Sequence, residues 1–198
     1  MSLDHDYLAR RGLKENETIL ILGAYDGDFI KKYKKEIIEK NIFVINIEPD
    51  YRTYIECLEY INKYLPLNAV ALNMIISDYT GRTMFDLMNY TQLSTMRGVE
   101  SVMPCDVVHS NQLLSMSLDD FLSLYSVDCI FADIEGSELE VFIYSKKVFD
   151  VKYIAIASYH IRDGEPTYKK LLEKFPDAIV LEDHEKWDSA VLYYTKRG

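Results

Sequence analysis

The chain has 198 residues, of which 48% are hydrophobic and 27% charged, a composition typical of a globular protein with a substantial core. Its formal net charge of -10 argues against nucleic acid as the main partner, because phosphate binding needs clustered lysine and arginine. The three cysteines form no CxxC pair, which argues against a zinc site or disulfide framework and predicts reduced thiols in a cytoplasmic protein. No apolar run is long enough to span a bilayer, so we expect no membrane association and one domain over residues 1–198.

The first strong pattern along the chain is a short apolar run that ends at a glycine. Residues 19–22 are all Ile or Leu, and Gly23 stops the run. Gly27 then precedes a lysine-rich helical pattern over residues 29–40. A buried strand, a tight turn and a helix in this order are typical of the start of an α/β nucleotide-binding sheet. Only glycine lets ligand atoms approach the backbone closely at such a turn.

A second buried strand, predicted over residues 42–47, ends in Glu48-Pro49-Asp50. Nucleotide-binding sheets place the acid that binds a ribose about twenty residues after the glycine turn, which is the position of Glu48. The second parallel strand lies beside the first, so its carboxyl end points at the same ligand. The alternative interpretation of Glu48 is an exposed acid at a strand end.

The remaining pattern alternates mainly between helix and strand. We predict a helix over 51–64, a strand over 69–76, a β-ribbon over 81–88, a strand at 113–116, a helix capped by Ser117, a strand over 127–133, a helix over 137–147, a strand over 153–157, a helix that opens at 163–166 and continues to 175, and strands over 178–181 and 190–195. Residues 89–104 have no clear period and predict either a lid over a substrate or disorder.

The order of these elements predicts a Rossmann-like, doubly wound and mainly parallel sheet. The connection between the last two strands is too short for a parallel crossover, so one strand near the C-terminus is expected to be antiparallel. In such a sheet the first, fourth and fifth core strands are neighbours. Gly23, Asp133 and His160, which lie at the ends of these strands, are therefore expected to share one crevice.

The ordered motifs resemble those of the FkbM family of S-adenosylmethionine (SAM)-dependent methyltransferases. The resemblance runs from residue 19 to about residue 160. It is carried by the G-A-x-x-G turn at 23–27, Glu48-Pro49-Asp50, Ser77-Asp78 with a following glycine, Ser117-Leu118-Asp119-Asp120 and, above all, Asp133-Ile134-Glu135-Gly136-Ser137-Glu138. It implies the fold of a class I methyltransferase with SAM as the cofactor.

The resemblance also implies roles for residues that bind the methyl donor. The turn would contact the amino acid part of SAM, with Asp26 or Asp28 near its ammonium group, and Glu48 would accept hydrogen bonds from the ribose hydroxyls. Asp78 would bind the adenine amino group, although it could equally cap a turn leading to Gly81. The full set of predicted donor-binding residues is Gly23, Ala24, Asp26, Gly27, Glu48, Pro49, Ser77, Asp78 and Asp133.

Methyl transfer to an oxygen atom needs an aligned acceptor and often a base. His160 is the predicted base, because the pKa of histidine lies near neutrality. Asp133 and Glu135 could orient the acceptor, stabilise protonated His160 or bind a divalent cation. Such clusters frequently form plain hydrogen-bond networks, so we assign no metal ligands from the sequence.

The resulting prediction is O-methylation of a small-molecule or sugar hydroxyl. The chain departs from the family at Tyr25, Phe131 and Ser158, where asparagine, lysine and an acid are common. These departures keep open a SAM-binding module without turnover. An NAD-binding oxidoreductase is the third alternative, but the third glycine of its motif is missing near Ile30.

Overall fold

The computed structural model describes residues 7–8, 11–89, 95–96, 106–182 and 190–196. In chain order the strands are β1 (Thr18–Leu22), β2 (Phe43–Ile47), β3 (Ala69–Leu72), β4 (Ile75–Ser77), β5 (Gly81–Met88), β6 (Thr95–Met96), β7 (Val107–Ser117), β8 (Cys129–Ala132), β9 (Tyr153–Ala157), β10 (Ile161–Arg162), β11 (Glu165–Pro166), β12 (Ile179–Glu182) and β13 (Ala190–Thr195). The α-helices are α1 (Asp28–Lys32), α2 (Lys34–Glu39), α3 (Tyr51–Tyr64), α4 (Leu118–Leu124), α5 (Glu138–Phe142) and α6 (Thr167–Lys174), with a 3-10 helix at Lys147–Asp150.

A seven-stranded sheet in the order β12-β13-β9-β8-β1-β2-β3 forms the centre of the molecule. The pairs β8–β9, β8–β1, β1–β2 and β2–β3 are parallel, whereas β13 is antiparallel to both β9 and β12. The sequence-based prediction of a mainly parallel α/β sheet with one reversed strand near the C-terminus is confirmed.

Side chains of the central strands alternate between two apolar layers. On β1, Ile19 and Ile21 pack into the layer that contains Ile61 of α3, whereas Leu20 and Leu22 pack into the layer that contains Phe121 of α4. Because both faces are covered, the strands read as continuous apolar runs. The polar ends of the strands therefore stand out at the carboxyl edge of the sheet.

The strand predicted over residues 69–76 is in fact two strands in different sheets. β3 belongs to the central sheet and ends at Leu72, whereas β4 pairs in parallel with β7. The chain changes sheets at Asn73, whose side chain donates hydrogen bonds to the carbonyl oxygens of Glu48 and Pro49. The run over 69–76 is apolar except for Asn73, and one polar residue does not by itself reveal a change of sheet.

The second sheet has the order β4-β7-β5-β6. The predicted ribbon over 81–88 is confirmed as β5, but its partner β7 is much longer than the strand predicted at 113–116. Exposed Val107 and Val108 of β7 give no alternating signal at its start. Of the predicted lid at 89–104, only Asn89 and residues 95–96 are described, and the rest lies outside the described residues.

Three predicted helices differ in extent. The helix over 29–40 is interrupted at Tyr33 and forms α1 and α2. The helix over 137–147 ends at Phe142 and is followed by the 3-10 helix. The helix expected to open at 163–166 begins at Thr167, because Asp163 and Gly164 have positive φ and turn a short hairpin between β10 and β11.

No helix in the described part of the chain is both long and apolar enough to cross a membrane. The central sheet is mainly apolar, apart from buried Asn46 of β2, and positions several polar side chains at its carboxyl edge.

Candidate functional site at the carboxyl edge of the sheet

The glycine turn after β1 packs directly against the end of β8. Gly23 has a φ of 76°, and a Cβ atom at this position would collide with the backbone carbonyl oxygen of Asp133. The amide groups of Gly23 and Ala24 both donate to the carbonyl oxygen of Ile47, at 3.0 Å. The turn is thus fixed between the ends of β2 and β8, and its role in ligand binding stays a prediction.

Gly27 closes the turn at the start of α1. Its φ of 89° is unfavourable for other residues, and a Cβ atom would lie 3.2 Å from the Sγ atom of Cys57. Asp26 pairs with Lys31 at 2.7 Å. Burial, and then the charge of Asp26, raise the pKa of Asp28. Two acids therefore lie at the turn where the resemblance predicts an ammonium group.

Glu48 lies at the end of β2, and its carboxylate is held by the backbone. Its Oε2 atom accepts a hydrogen bond from the amide of Tyr25 at 2.6 Å, and its Oε1 atom accepts one from the amide of Asp50 at 2.8 Å. Burial raises the pKa of Glu48 to about 7 despite these hydrogen bonds. A carboxylate has about four acceptor positions, so two remain for hydroxyl groups of a ligand.

Ser77 and Asp78 do not lie at the end of the third central strand, where the adenine role was expected. They follow β4 in the second sheet because the chain changes sheets at Asn73. The Ser77 hydroxyl contacts the Ser115 hydroxyl at 2.6 Å, and Asp78 is exposed. Asn73, which the sequence analysis overlooked, occupies the third strand end instead. The sequence signal for this role was that Asn73 is the single polar residue within the apolar run over 69–76.

Asp133, Glu135 and His160 come together at the ends of β8 and β9. One ligand atom from each lies within 4.8 Å of the others. Glu135 and Gly136 both have positive φ, so the chain turns sharply after β8 and brings Glu135 back toward His160. The distance between Nε2 of His160 and Oε2 of Glu135 is 3.5 Å. The predicted grouping of these residues beside the glycine turn is present in the structure.

Glu138 contacts this cluster through His160 and was not assigned a role from the sequence. It is completely buried, and its Oε1 atom lies 2.9 Å from Nδ1 of His160. The same Oε1 atom accepts a hydrogen bond from the amide of Gly136. The ring of Tyr159 lies 4.2 Å from that of His160. These contacts fix the imidazole plane. The sequence signal for Glu138 was its position as a second acid just after the Asp-x-Glu-Gly motif.

Burial alone would lower the pKa of His160, but Glu138 and Glu135 hold this pKa well above its usual value. Their charges therefore favour the protonated imidazole. To serve as a general base, it would have to release that proton before it accepts another. Burial has the opposite effect on an acid and raises the pKa of Glu135, although the contact with His160 acts to lower it.

Tyr7 is a further residue that the sequence analysis missed. Its ring lies 6.0 Å from Phe131, and its carbonyl oxygen accepts a hydrogen bond from the hydroxyl of Tyr153. Burial, followed by the charges of Asp133 and Tyr159, raises the pKa of Tyr7 well above its usual value. The segment before β1 thus brings a neutral phenol beside Asp133. An isolated tyrosine outside any periodic pattern gave no signal for this.

Two of the departures from the family pattern have structural roles. Phe131 is buried among aromatic rings, 5.3 Å from Phe29 and 6.1 Å from Tyr153, so it belongs to the core. Ser158 is buried at the end of β9, where its hydroxyl donates to the carbonyl oxygen of Ala190 at 3.5 Å.

Comparisons with known proteins place this geometry in context. No protein-family model and no curated protein sequence matches the chain. Among solved structures, the methyltransferase FkbM from Methylobacillus flagellatus KT superposes with a TM-score of 0.63 at 16% identity, over 93% of this chain and 45% of that one. The chain has the fold of class I methyltransferases.

Two other solved structures show how widely this fold is used. Fibrillarin from Aeropyrum pernix, which was crystallised with natively bound SAM, has a TM-score of 0.51 at 14% identity, over 91% of this chain and 66% of that one. An rRNA methylase from Streptococcus thermophilus has a TM-score of 0.53 at 8% identity, over 98% of this chain and 94% of that one. This chain spans 45% of the length of the FkbM methyltransferase.

Proposed function

We propose that this protein is a SAM-dependent methyltransferase of the FkbM family that methylates a hydroxyl group of a small molecule or sugar. The observation that carries the proposal is the carboxylate of Glu48, which is held at the end of β2 by the amides of Tyr25 and Asp50. Its two remaining acceptor positions match the two hydroxyls of a ribose. The glycine turn beside it, where Gly23 packs against the backbone of Asp133, would contact the rest of the donor.

The donor would extend from Glu48 across the turn toward the end of β8. Gly23, Ala24 and Gly27 would contact its amino acid part, with Asp26 near the ammonium group. Asp133 would lie beside the reacting end. Pro49 and Ser77 remain in the proposed donor set, and Asp78 remains the adenine candidate. Natively bound SAM in fibrillarin, which shares the fold, supports SAM as the cofactor.

The acceptor would lie over Asp133, Glu135 and His160. Its oxygen forms a bond to the methyl carbon as the carbon–sulfur bond breaks, and the electron pair of that bond stays on sulfur. The hydroxyl proton passes to a base or to water. The protein holds the oxygen in line with the methyl carbon, which is the main catalytic task because the sulfonium already activates that carbon. His160 stays the predicted base.

A small acceptor fits the charge of the chain better than a nucleic acid does. The rRNA methylase acts, by its name, on RNA and shares the fold. The present chain, however, carries a formal net charge of -10, which opposes binding to a phosphate backbone. We therefore propose a small-molecule or glycan acceptor, no nucleic-acid partner and a cytoplasmic location.

The test is transfer of a labelled methyl group from SAM to a panel of hydroxylated small molecules and sugars. We expect label in one acceptor class, and His160→Ala should bind the donor normally but lose most of the turnover. Asp163→Asn, on an exposed turn near the site, serves as a control that should retain turnover.

Two outcomes separate the alternatives. Donor binding without transfer to any acceptor would favour a binding module, the alternative suggested by the departures at Tyr25, Phe131 and Ser158. Thermal stabilisation by NAD but not by SAM would favour an oxidoreductase. Unchanged turnover in His160→Ala would remove His160 as the base.

A further inference from the structure

We propose that Asp133, Glu135 and His160 bind one divalent transition-metal ion of the Mn²⁺ or Zn²⁺ class. Only the catalytic role of the ion rests on the proposed function. The binding of the ion depends on these residues alone and can be measured without donor or acceptor.

The spacing of the three side chains suits a single ion. Metal–ligand bonds of about 2.1 Å place adjacent ligand atoms about 3 Å apart and opposite ones about 4.2 Å apart. Here the ligand atoms lie within 4.8 Å of one another, and Nε2 of His160 is 3.5 Å from Oε2 of Glu135. The cluster needs only a small contraction to surround an ion, and Glu135 is the least buried of the three.

The orientation of His160 favours a ligand role for its Nε2 atom. Glu138 lies 2.9 Å from Nδ1 and is itself held by the amide of Gly136. Histidine ligands commonly direct their other nitrogen at a carboxylate in this way, which fixes the ring and leaves one nitrogen for the ion. Within the part of the chain that the structure describes, neither buried ring nitrogen makes a hydrogen bond, but Nδ1 lies close to Glu138 whereas Nε2 lies 3.5 Å from Glu135, on the side of the proposed ion.

The charges around His160 also favour a cation. Three carboxylates, those of Asp133, Glu135 and Glu138, surround one imidazole. The guanidinium of nearby Arg162 is engaged elsewhere, with Glu140 at 2.8 Å and the carbonyl oxygen of Gly136 at 2.7 Å. A divalent ion would balance the excess negative charge, because buried acids are stabilised by a paired cation or a metal.

The ligand types indicate which ions fit. Carboxylate oxygens suit Mg²⁺, Ca²⁺ and Mn²⁺, whereas imidazole nitrogen favours transition metals such as Zn²⁺ and Fe²⁺. A site with both ligand types is therefore best matched by Mn²⁺ or Zn²⁺. With three protein ligands, coordination positions remain for water or for the acceptor hydroxyl.

The ion would supply a second way to activate the acceptor, in which neutral His160 is a ligand and not the base. A hydroxyl bound to the ion has a lower pKa, so its proton passes to water without a protein base. The oxygen then attacks the methyl carbon while the carbon–sulfur bond breaks. In this arrangement His160 acts as a ligand, and Glu138 is the positioning residue that fixes its ring.

The experiment is a titration of metal-stripped protein with Mn²⁺, followed by electron paramagnetic resonance without donor or acceptor. We expect one saturable site per chain, and Zn²⁺ should displace the bound Mn²⁺. Glu135→Gln should weaken Mn²⁺ binding at least tenfold, and Glu138→Gln about tenfold, as is typical of second-layer partners. Pulsed spectra should show coupling to an imidazole nitrogen that disappears in His160→Gln.

Asp163→Asn is the matched control, because it removes an exposed acid from the neighbouring turn and should leave Mn²⁺ binding unchanged. Circular dichroism confirms that each variant is folded, and Glu135→Gln suffices if the His160 variant does not fold. Wild-type protein without saturable Mn²⁺ binding would overturn the proposal. Equal binding by wild type and Glu135→Gln would do the same. Separate titration with S-adenosylhomocysteine keeps these results distinct from failure of the proposed function.

Discussion

The backbone carbonyl oxygen of Asp133 occupies the space that a side chain at Gly23 would need. This contact joins the proposed donor turn to the acceptor cluster, because Asp133 belongs to both. It also explains why glycine is required at this position for steric reasons as well as for its φ of 76°.

Gly23→Ala should therefore lower the free energy of unfolding by about 2–5 kcal/mol, from backbone strain together with the collision. Gly164→Ala is the matched control: its φ is 82°, but nothing lies within 4 Å of the added Cβ. It should cost only the strain, about 1–2 kcal/mol. Urea denaturation measures both values, and equal losses would show that the contact with Asp133 is unimportant.

The pKa of Glu48 predicts how donor binding depends on pH. Burial raises this pKa to about 7, while ribose hydroxyls would donate to the charged form. Binding must then remove the proton, so the affinity for S-adenosylhomocysteine should rise about tenfold per pH unit up to about pH 7 and level off above it. Glu48→Gln should bind weakly with a flat pH profile. Calorimetry between pH 5 and 8 measures this, and a flat wild-type profile would contradict it.

Asp119, part of the motif that supports the FkbM resemblance, has a structural role. Its carboxylate accepts hydrogen bonds from the Ser145 hydroxyl and from the amides of Lys146 and Lys147. Burial acts to raise its pKa, but these hydrogen bonds lower it overall. A carboxyl group whose pKa is lowered by folding stabilises the protein at pH values above its pKa in the unfolded chain. This stabilisation is lost as the pH falls through its pKa in the folded protein.

Asp119→Ala should accordingly lower the free energy of unfolding by about 1–2 kcal/mol at pH 7. The difference from wild type should shrink as the pH falls below the ordinary pKa of an aspartate, about 3.9, and binding of S-adenosylhomocysteine should be unchanged. Asp150→Ala, which removes an exposed acid 3.7 Å from Lys196, is a control with a smaller expected effect. A loss that persists at low pH would show that packing, rather than charge, is responsible.

The sequence predicted most of the sheet because its strands are short apolar runs separated by turn residues. Residues 153–157 and 190–195 were assigned as strands with the bounds that the structure has, and the helix over 51–64 also agrees. The two-sheet arrangement was missed because burial makes β3 and β4 look like one strand. It depends on the long-range pairing of β4 with β7, which no local pattern encodes.

The site was predicted where polar residues follow parallel strands, as for Glu48, Asp133 and His160. Pairing of β1, β8 and β9 then brings these ends together. Glu138 and Tyr7 were missed because their roles depend on tertiary contacts. Glu138 contacts His160, and Tyr7 interacts with Asp133 from the segment before β1. The raised pKa of Tyr7 likewise follows from burial beside other charges, which the sequence does not show.

The central claim is that the glycine turn and Glu48 bind the adenosyl donor, and isothermal titration with S-adenosylhomocysteine tests it most directly. Wild-type protein and the control Glu56→Ala, which alters an exposed acid on α3, should bind with the same affinity. Glu48→Ala should remain folded and bind at least tenfold more weakly, because the ribose hydroxyls lose their charged acceptor. Absence of saturable binding by wild type at millimolar ligand, or equal binding by Glu48→Ala, would contradict the account.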